Sequence, residues 1–123
     1  MAGESDIPRT RLTHTLEEGI RIAHTLGSDI GKVSLDLRRP RPLCASRHHP
    51  DVMAQLEHIA QLTKKVLPLL GETGVRLAFE NHTESFASEI LWLIDQVNHP
   101  LVGACVDTVN SVMVLEDPMV AIK

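Results

Sequence analysis

This chain of 123 residues has little of what marks several large classes of protein. Its apolar runs fall well short of the roughly 20 residues that a membrane span needs. The opening residues, Met1 to Asp6, are polar and lack the apolar core of a signal peptide. No membrane is expected as a partner, and the cytoplasm is the default location. Positive charge is scarce as well: the formal net charge is -4, and the basic residues cluster only briefly, at Arg38-Arg39-Pro40-Arg41. Binding to nucleic acid rests on neutralising phosphates with Lys and Arg, so nucleic acid is not an expected partner. Cysteine is nearly absent. Cys44 and Cys105 lack the C-x-x-C spacing of a zinc or redox motif and are expected as reduced thiols.

What is present suffices for one domain, because 43% hydrophobic residues can supply a core at this length. Residues 1–9 carry no motif and read as an irregular lead-in, which leaves 10–123 as the domain. From Leu12 to Leu26 the apolar residues Leu12, Leu16, Ile20, Ala23 and Leu26 recur at helical spacing, with Thr15 and Glu18 as a capping box and Gly27 as the stop. Ile30 to Leu37 alternates instead, setting Val33, Leu35 and Leu37 against Lys32, Ser34 and Asp36, which is strand periodicity. The loop from Arg38 to Pro50 contains His48-His49 and reads as a solvated excursion, since adjacent histidines rarely converge on one metal. Asp51 to Leu70 is the clearest helix, with a stripe of Val52, Leu56, Ile59, Thr63, Val66 and Leu70. Asp51 is its expected cap, Pro68 is expected to disturb its last turn, and His58 reads as a boundary or surface residue.

Two segments organise the rest. Gly74 to Glu80 and Leu101 to Asp107 are short apolar runs of strand length, each ending in a carboxylate. Between them lies a helix from Phe86 to Val97, capped by Thr83 or Ser85 and closed by Asn98 and Pro100, with Trp92 packing. A connection of that kind returns the second strand parallel to the first, in a right-handed crossover. Glu80 and Asp107 then stand side by side on one rim of the sheet, where such folds carry their chemistry. Asp117-Pro118 opens a further helix that Lys123 leaves short, so the sequence reads as cut rather than finished. Helix and strand alternate throughout. The expected class is α/β, with about three parallel strands and flanking helices, too few to close a barrel.

A carboxylate at the end of a buried strand needs a counter-charge, hydrogen-bond donors or a metal. A pair of them suits a hard divalent ion such as Mn²⁺ or Mg²⁺, or Zn²⁺ if a histidine joins. The plainer reading is that both acids cap the helices that follow or pair with arginines.

The segments Phe79-Glu80-Asn81-His82, Gly103-Ala104-Cys105-Val106-Asp107-Thr108-Val109-Asn110 and Glu116-Asp117-Pro118 resemble the E-N-H and C-x-D-T-x-N segments of the sugar phosphate isomerase/epimerase family, which has the xylose isomerase-like TIM barrel. Ala23-His24-Thr25-Leu26-Gly27 resembles its A-x-x-L-G segment more loosely. The resemblance implies a partial barrel, with Glu80 and Asp107 as two ligands of a divalent metal and Glu80 also as the catalytic acid/base. It implies His82 and Asn110 as substrate-binding residues, where relatives often place a histidine at the position of Asn110. A further histidine and a final glutamate would complete the metal site, and no segment here matches them. The expectation is a fragment of a divalent-metal-dependent sugar or sugar phosphate isomerase/epimerase-like protein, inactive by itself, with exposed sheet edges through which copies could associate. Two alternatives are an endonuclease IV-like nuclease, which the acidic balance and Asn110 disfavour, and a non-catalytic α/β partner-binding domain.

Overall fold

The computed structural model of the chain describes residues 16–123. The lead-in, Leu12 and Thr15 of the expected capping box lie outside them. The first helix, α1, whose described part is 16–25, buries Leu16 and Ile20 and packs Ala23 on the core, but Leu26 is exposed past its end. Gly27 follows at φ 75°, a left-handed turn that glycine adopts without Cβ strain.

Strand β1, Ile30–Ser34, is shorter than the alternation predicts. Asp36 has φ 54°, which takes the chain off the extended path, while Leu35 and Leu37 stay buried on either side of it. The alternating pattern thus marks burial beyond the point where the hydrogen-bonded ladder ends. The loop that follows includes a single 3-10 turn, Leu43–Ala45.

Helix α2, Pro50–Thr73, is the long element of the chain. Its cap is His49, whose Nδ1 accepts the N–H of Asp51 at 3.2 Å, rather than Asp51 itself. Pro50 at the first helical position removes an N–H that would have no partner there. Pro68 does not end the helix, which continues through Thr73 to a left-handed Gly74 at φ 71°. The stripe is buried as expected at Val52, Leu56, Ile59, Thr63 and Leu70, with Val66 partly so. Thr63 is tolerated in the core because its hydroxyl donates to the Ile59 carbonyl at 2.8 Å.

Strand β2, Arg76–Glu80, helix α3, Ala87–Val97, and strand β3, Val102–Cys105, complete the sheet. Its order is β1-β2-β3, with both pairings parallel. The α3 cap is neither Thr83 nor Ser85 but Phe86, whose backbone N–H donates to the Glu89 side chain at 3.2 Å. A 3-10 segment, Asn110–Val114, leads to α4, Pro118–Ile122, capped by Asp117 Oδ1 on the N–H of Met119 at 2.9 Å.

Leu77, Phe79 and Val102 lie in one buried cluster with Val52, Leu56, Ile59 and Leu70 of α2 and Ile90, Leu93 and Val97 of α3. Trp92 packs against the same cluster. Side chains alternate along each strand, so the rows Lys32, Ala78, Gly103 and Ser34, Glu80, Cys105 occupy the opposite face of the sheet. No helix among the described residues is long and apolar enough to cross a membrane.

Candidate active site

Glu80 closes β2 and is 6% exposed. A charge in that position is costly unless compensated. Two neighbours on β1 compensate it: Lys32 Nζ lies 3.0 Å and Ser34 Oγ 2.9 Å from the same carboxylate oxygen, Oε2. Register brings them there. Ser34 is the direct partner of Glu80 in the ladder, and Lys32 is one row back, beside the small residues Ala78 and Gly103. The hydrogen bond from Lys32, with that from Ser34 and the positive charge of Lys32, holds the Glu80 carboxyl below its usual range, and the same contact raises the Lys32 ammonium. Oε1 of Glu80 accepts no hydrogen bond from the described residues.

Asp107 lies two residues beyond β3, on the same rim. Asn81 bonds its backbone in both directions, accepting the Asp107 N–H at 2.6 Å and donating to the Asp107 carbonyl at 2.8 Å. This clasp continues the β2–β3 pairing past the last ladder bond. The Asp107 carboxylate accepts the backbone N–H groups of Val109 and Asn110 at 3.0 and 3.3 Å, so it shapes its own loop. Asn110 is the half-buried first residue of the 3-10 segment.

His82 stands two residues after Glu80 and its Nδ1 lies 2.6 Å from Glu84 Oε2. That hydrogen bond raises the imidazole pKa, with the Glu84 and Glu80 charges adding to it against the cost of burial. Glu80, His82 and Asp107 therefore share one rim, with Lys32 among them. Lys32 and Ser34 are the residues that sequence reasoning missed in a functional role. The signal was available, because the alternation puts both on one face of β1 and a parallel neighbour puts Glu80 on that face too.

The loops behind the rim are fastened by a buried ion pair. Arg39 and Glu89 have side chains 1% and 0% exposed, and Arg39 Nη2 reaches both Glu89 oxygens at 2.7 and 2.6 Å. Glu89 also accepts the backbone N–H of His48 at 3.0 Å. The guanidinium groups of Arg39 and Arg47 lie 5.0 and 4.7 Å from the centroid of the Phe86 ring. The loop expected as a solvated excursion is thus pinned at Arg39, where the Glu89 carboxylate and the Phe86 ring offset the cost of taking the guanidinium out of water. His48 and His49 do not converge: His48 Nε2 meets Ser88 Oγ at 3.2 Å, and His49 caps α2.

The donor chemistry bears on a metal. Glu80 Oε2 is committed to Lys32 and Ser34, and Asp107 Oδ1 to two backbone N–H groups, which leaves Glu80 Oε1 and Asp107 Oδ2 without a hydrogen bond from the described residues. Among the described residues no three His, Cys, Asp or Glu side chains converge as a metal-binding group. The described residues by themselves do not complete a site for a divalent cation.

A parallel sheet with helical cover, carrying a buried carboxylate at the C-terminal end of a strand, is the layout of a (β/α) barrel segment. The family model for the xylose isomerase-like TIM barrel matches residues 2–122, and the chain belongs to that family. Among solved structures, the chain is similar to a xylose isomerase domain protein from Planctomyces limnophilus, with 21% sequence identity and a TM-score of 0.65. The match covers 93% of this chain and 38% of that one, so the chain spans well under half of that neighbour's length. A search of curated proteins finds no match.

Proposed function

We propose that Glu80 is the proton-transfer group of a sugar isomerase or epimerase-like protein, acting beside the carbonyl of a sugar or sugar phosphate in a whole protein that supplies the remaining strands. The observation that carries this reading is the Glu80 environment. The carboxylate is buried at the rim, kept ionised through one oxygen, and has its other oxygen uncommitted to any described residue. A base needs both the charge and an accessible lone pair.

In the proposed step the substrate C–H bond next to the carbonyl breaks. The proton goes to Glu80 Oε1 and the electron pair moves to the carbonyl oxygen, giving an enediol-type intermediate. As Glu80 loses its charge, the Lys32 ammonium beside it becomes available to the oxygen on which charge develops. Return of the proton to the former carbonyl carbon, with the adjacent hydroxyl's proton passing to the former carbonyl oxygen as that hydroxyl becomes the new carbonyl, gives the isomer. Return to the opposite face of the original carbon, with the carbonyl re-formed, gives the epimer. His82 and Asn110 lie on the same rim as groups that could hold substrate hydroxyls.

The test is solvent exchange. Ketoses and ketose phosphates are incubated with the whole protein in D₂O and followed by proton NMR. Deuterium entry next to the carbonyl is expected, with its rate lowered at least about a hundredfold in Glu80→Gln. Exchange at the wild-type rate in that variant, or none with any sugar tried, removes the assignment.

A further inference from the structure

We propose that Lys32 is the resident cation of this site: it supplies the positive charge that Glu80 requires and thereby keeps divalent metal off the carboxylate in the described chain. The inference uses Glu80 as a carboxylate, not as a catalyst, and does not depend on the substrate reading above.

Three observations carry it. First, Lys32 and Ser34 converge on one oxygen of Glu80, at 3.0 and 2.9 Å, so the group already has a charge partner and a neutral donor. Second, the partnership is built into the strand register rather than reached by a wandering side chain. The row of Lys32 continues into Ala78 and Gly103, and a Cβ added at Gly103 would meet nothing within 4 Å, so no bulk crowds the lysine stem on its way to Glu80. Third, the second acid is partly engaged in its own loop: Asp107 gives one oxygen, Oδ1, to the N–H groups of Val109 and Asn110, while its backbone is held from both sides by Asn81.

A lysine ammonium and a divalent ion compete for the same electrostatic vacancy, because either one offsets the cost of the buried carboxylate. The ammonium has three N–H donors, of which Glu80 takes one among the described residues. The side chain remains 56% exposed on the open sheet face. Lys32 can therefore serve Glu80 and still present a charged donor to an oxygen-bearing ligand, which is the part a metal plays in sites that have one.

The experiment titrates Mn²⁺ into the complete chain, following the free-ion signal by electron paramagnetic resonance and the melting temperature in parallel, for wild type, Lys32→Met, Lys32→Gln, Lys32→Arg and Glu80→Gln. Wild type and Lys32→Arg are expected to leave the free Mn²⁺ signal and the melting temperature unchanged into the millimolar range. Lys32→Met and Lys32→Gln are expected to bind at least about tenfold tighter than wild type and to gain a Mn²⁺-dependent rise in melting temperature. Combining Lys32→Met with Glu80→Gln should abolish the gain. Wild-type binding of Mn²⁺ that Glu80→Gln removes overturns the proposal without recourse to any Lys32 variant. Folded neutral variants at position 32 that bind no better than wild type overturn it equally.

Discussion

The side-chain amide of Asn81 grips the backbone of Asp107 at both its N–H and its carbonyl, at 2.6 and 2.8 Å, and so acts as one more rung between β2 and β3. Asn81 is 3% exposed and also donates to the Ser111 hydroxyl at 3.2 Å. Asn81→Asp keeps the shape and the acceptor but loses both donations and brings a negative charge to the Asp107 carbonyl. A loss of about 2–3 kcal/mol in unfolding free energy is expected from denaturant titration. A change within about 0.5 kcal/mol, the size of an ordinary surface substitution, would show that the clasp is incidental.

Arg39 and Glu89 illustrate how a buried ion pair behaves when broken. Removing one partner strands the other as an uncompensated charge, so Glu89→Leu and Arg39→Met are each expected to cost about 3–5 kcal/mol. The double variant should lose less than the sum of the two, since neither charge is left behind. Strict additivity in a double-mutant cycle would contradict this account.

Two shifted groups on the rim set opposite pH windows. Glu80 has a folded pKa below its unfolded value, so its contribution is complete above the unfolded value of about 4.3 and is lost as pH falls through the folded one. His82 has a folded pKa above its unfolded value, so its contribution is complete below about 6.5 and is lost as pH rises through the folded value. Melting temperature measured against pH should flatten on the acid side in Glu80→Gln. It should flatten near and above neutrality in His82→Gln or Glu84→Gln. Profiles that superimpose on wild type would remove the charge contacts from the stability of the fold.

Pro68 sits exposed inside α2, where it removes a helical N–H and crowds the carbonyl one turn before it. Pro68→Ala is expected to raise unfolding free energy by about 1–3 kcal/mol. Urea midpoints would settle the matter, and a variant no more stable than wild type would mean the helix has absorbed the proline without strain.

The elements legible in the sequence were those written in local periodicity. The stripe of α2 and the apolar runs ending at Glu80 and near Asp107 fall where burial puts them, because a face of a helix or strand repeats within a few residues. Termini were less legible. His49 displaced Asp51 as the cap of α2, and Glu89 serves α3 by bonding the Phe86 N–H from inside the helix, a role that Thr83 and Ser85 were better placed by composition to fill. Least legible were the partners separated by a whole helix. Lys32 finds Glu80 across 48 positions and Arg39 finds Glu89 across 50, and nothing in the immediate neighbourhood of either basic residue names its partner. A charged residue declares where it is, but its counter-charge is chosen by register and loop path.

That same separation orders events in time. Lys32 and Ser34 leave the ribosome well before Glu80, and a parallel pairing cannot form until the intervening chain, most of it α2, has closed back over the sheet. Docking β2 against β1 is therefore the step at which Glu80 can pass from water to burial with its charge already met. A nascent chain stopped ahead of β2 would hold its lysine ready for an acid not yet made.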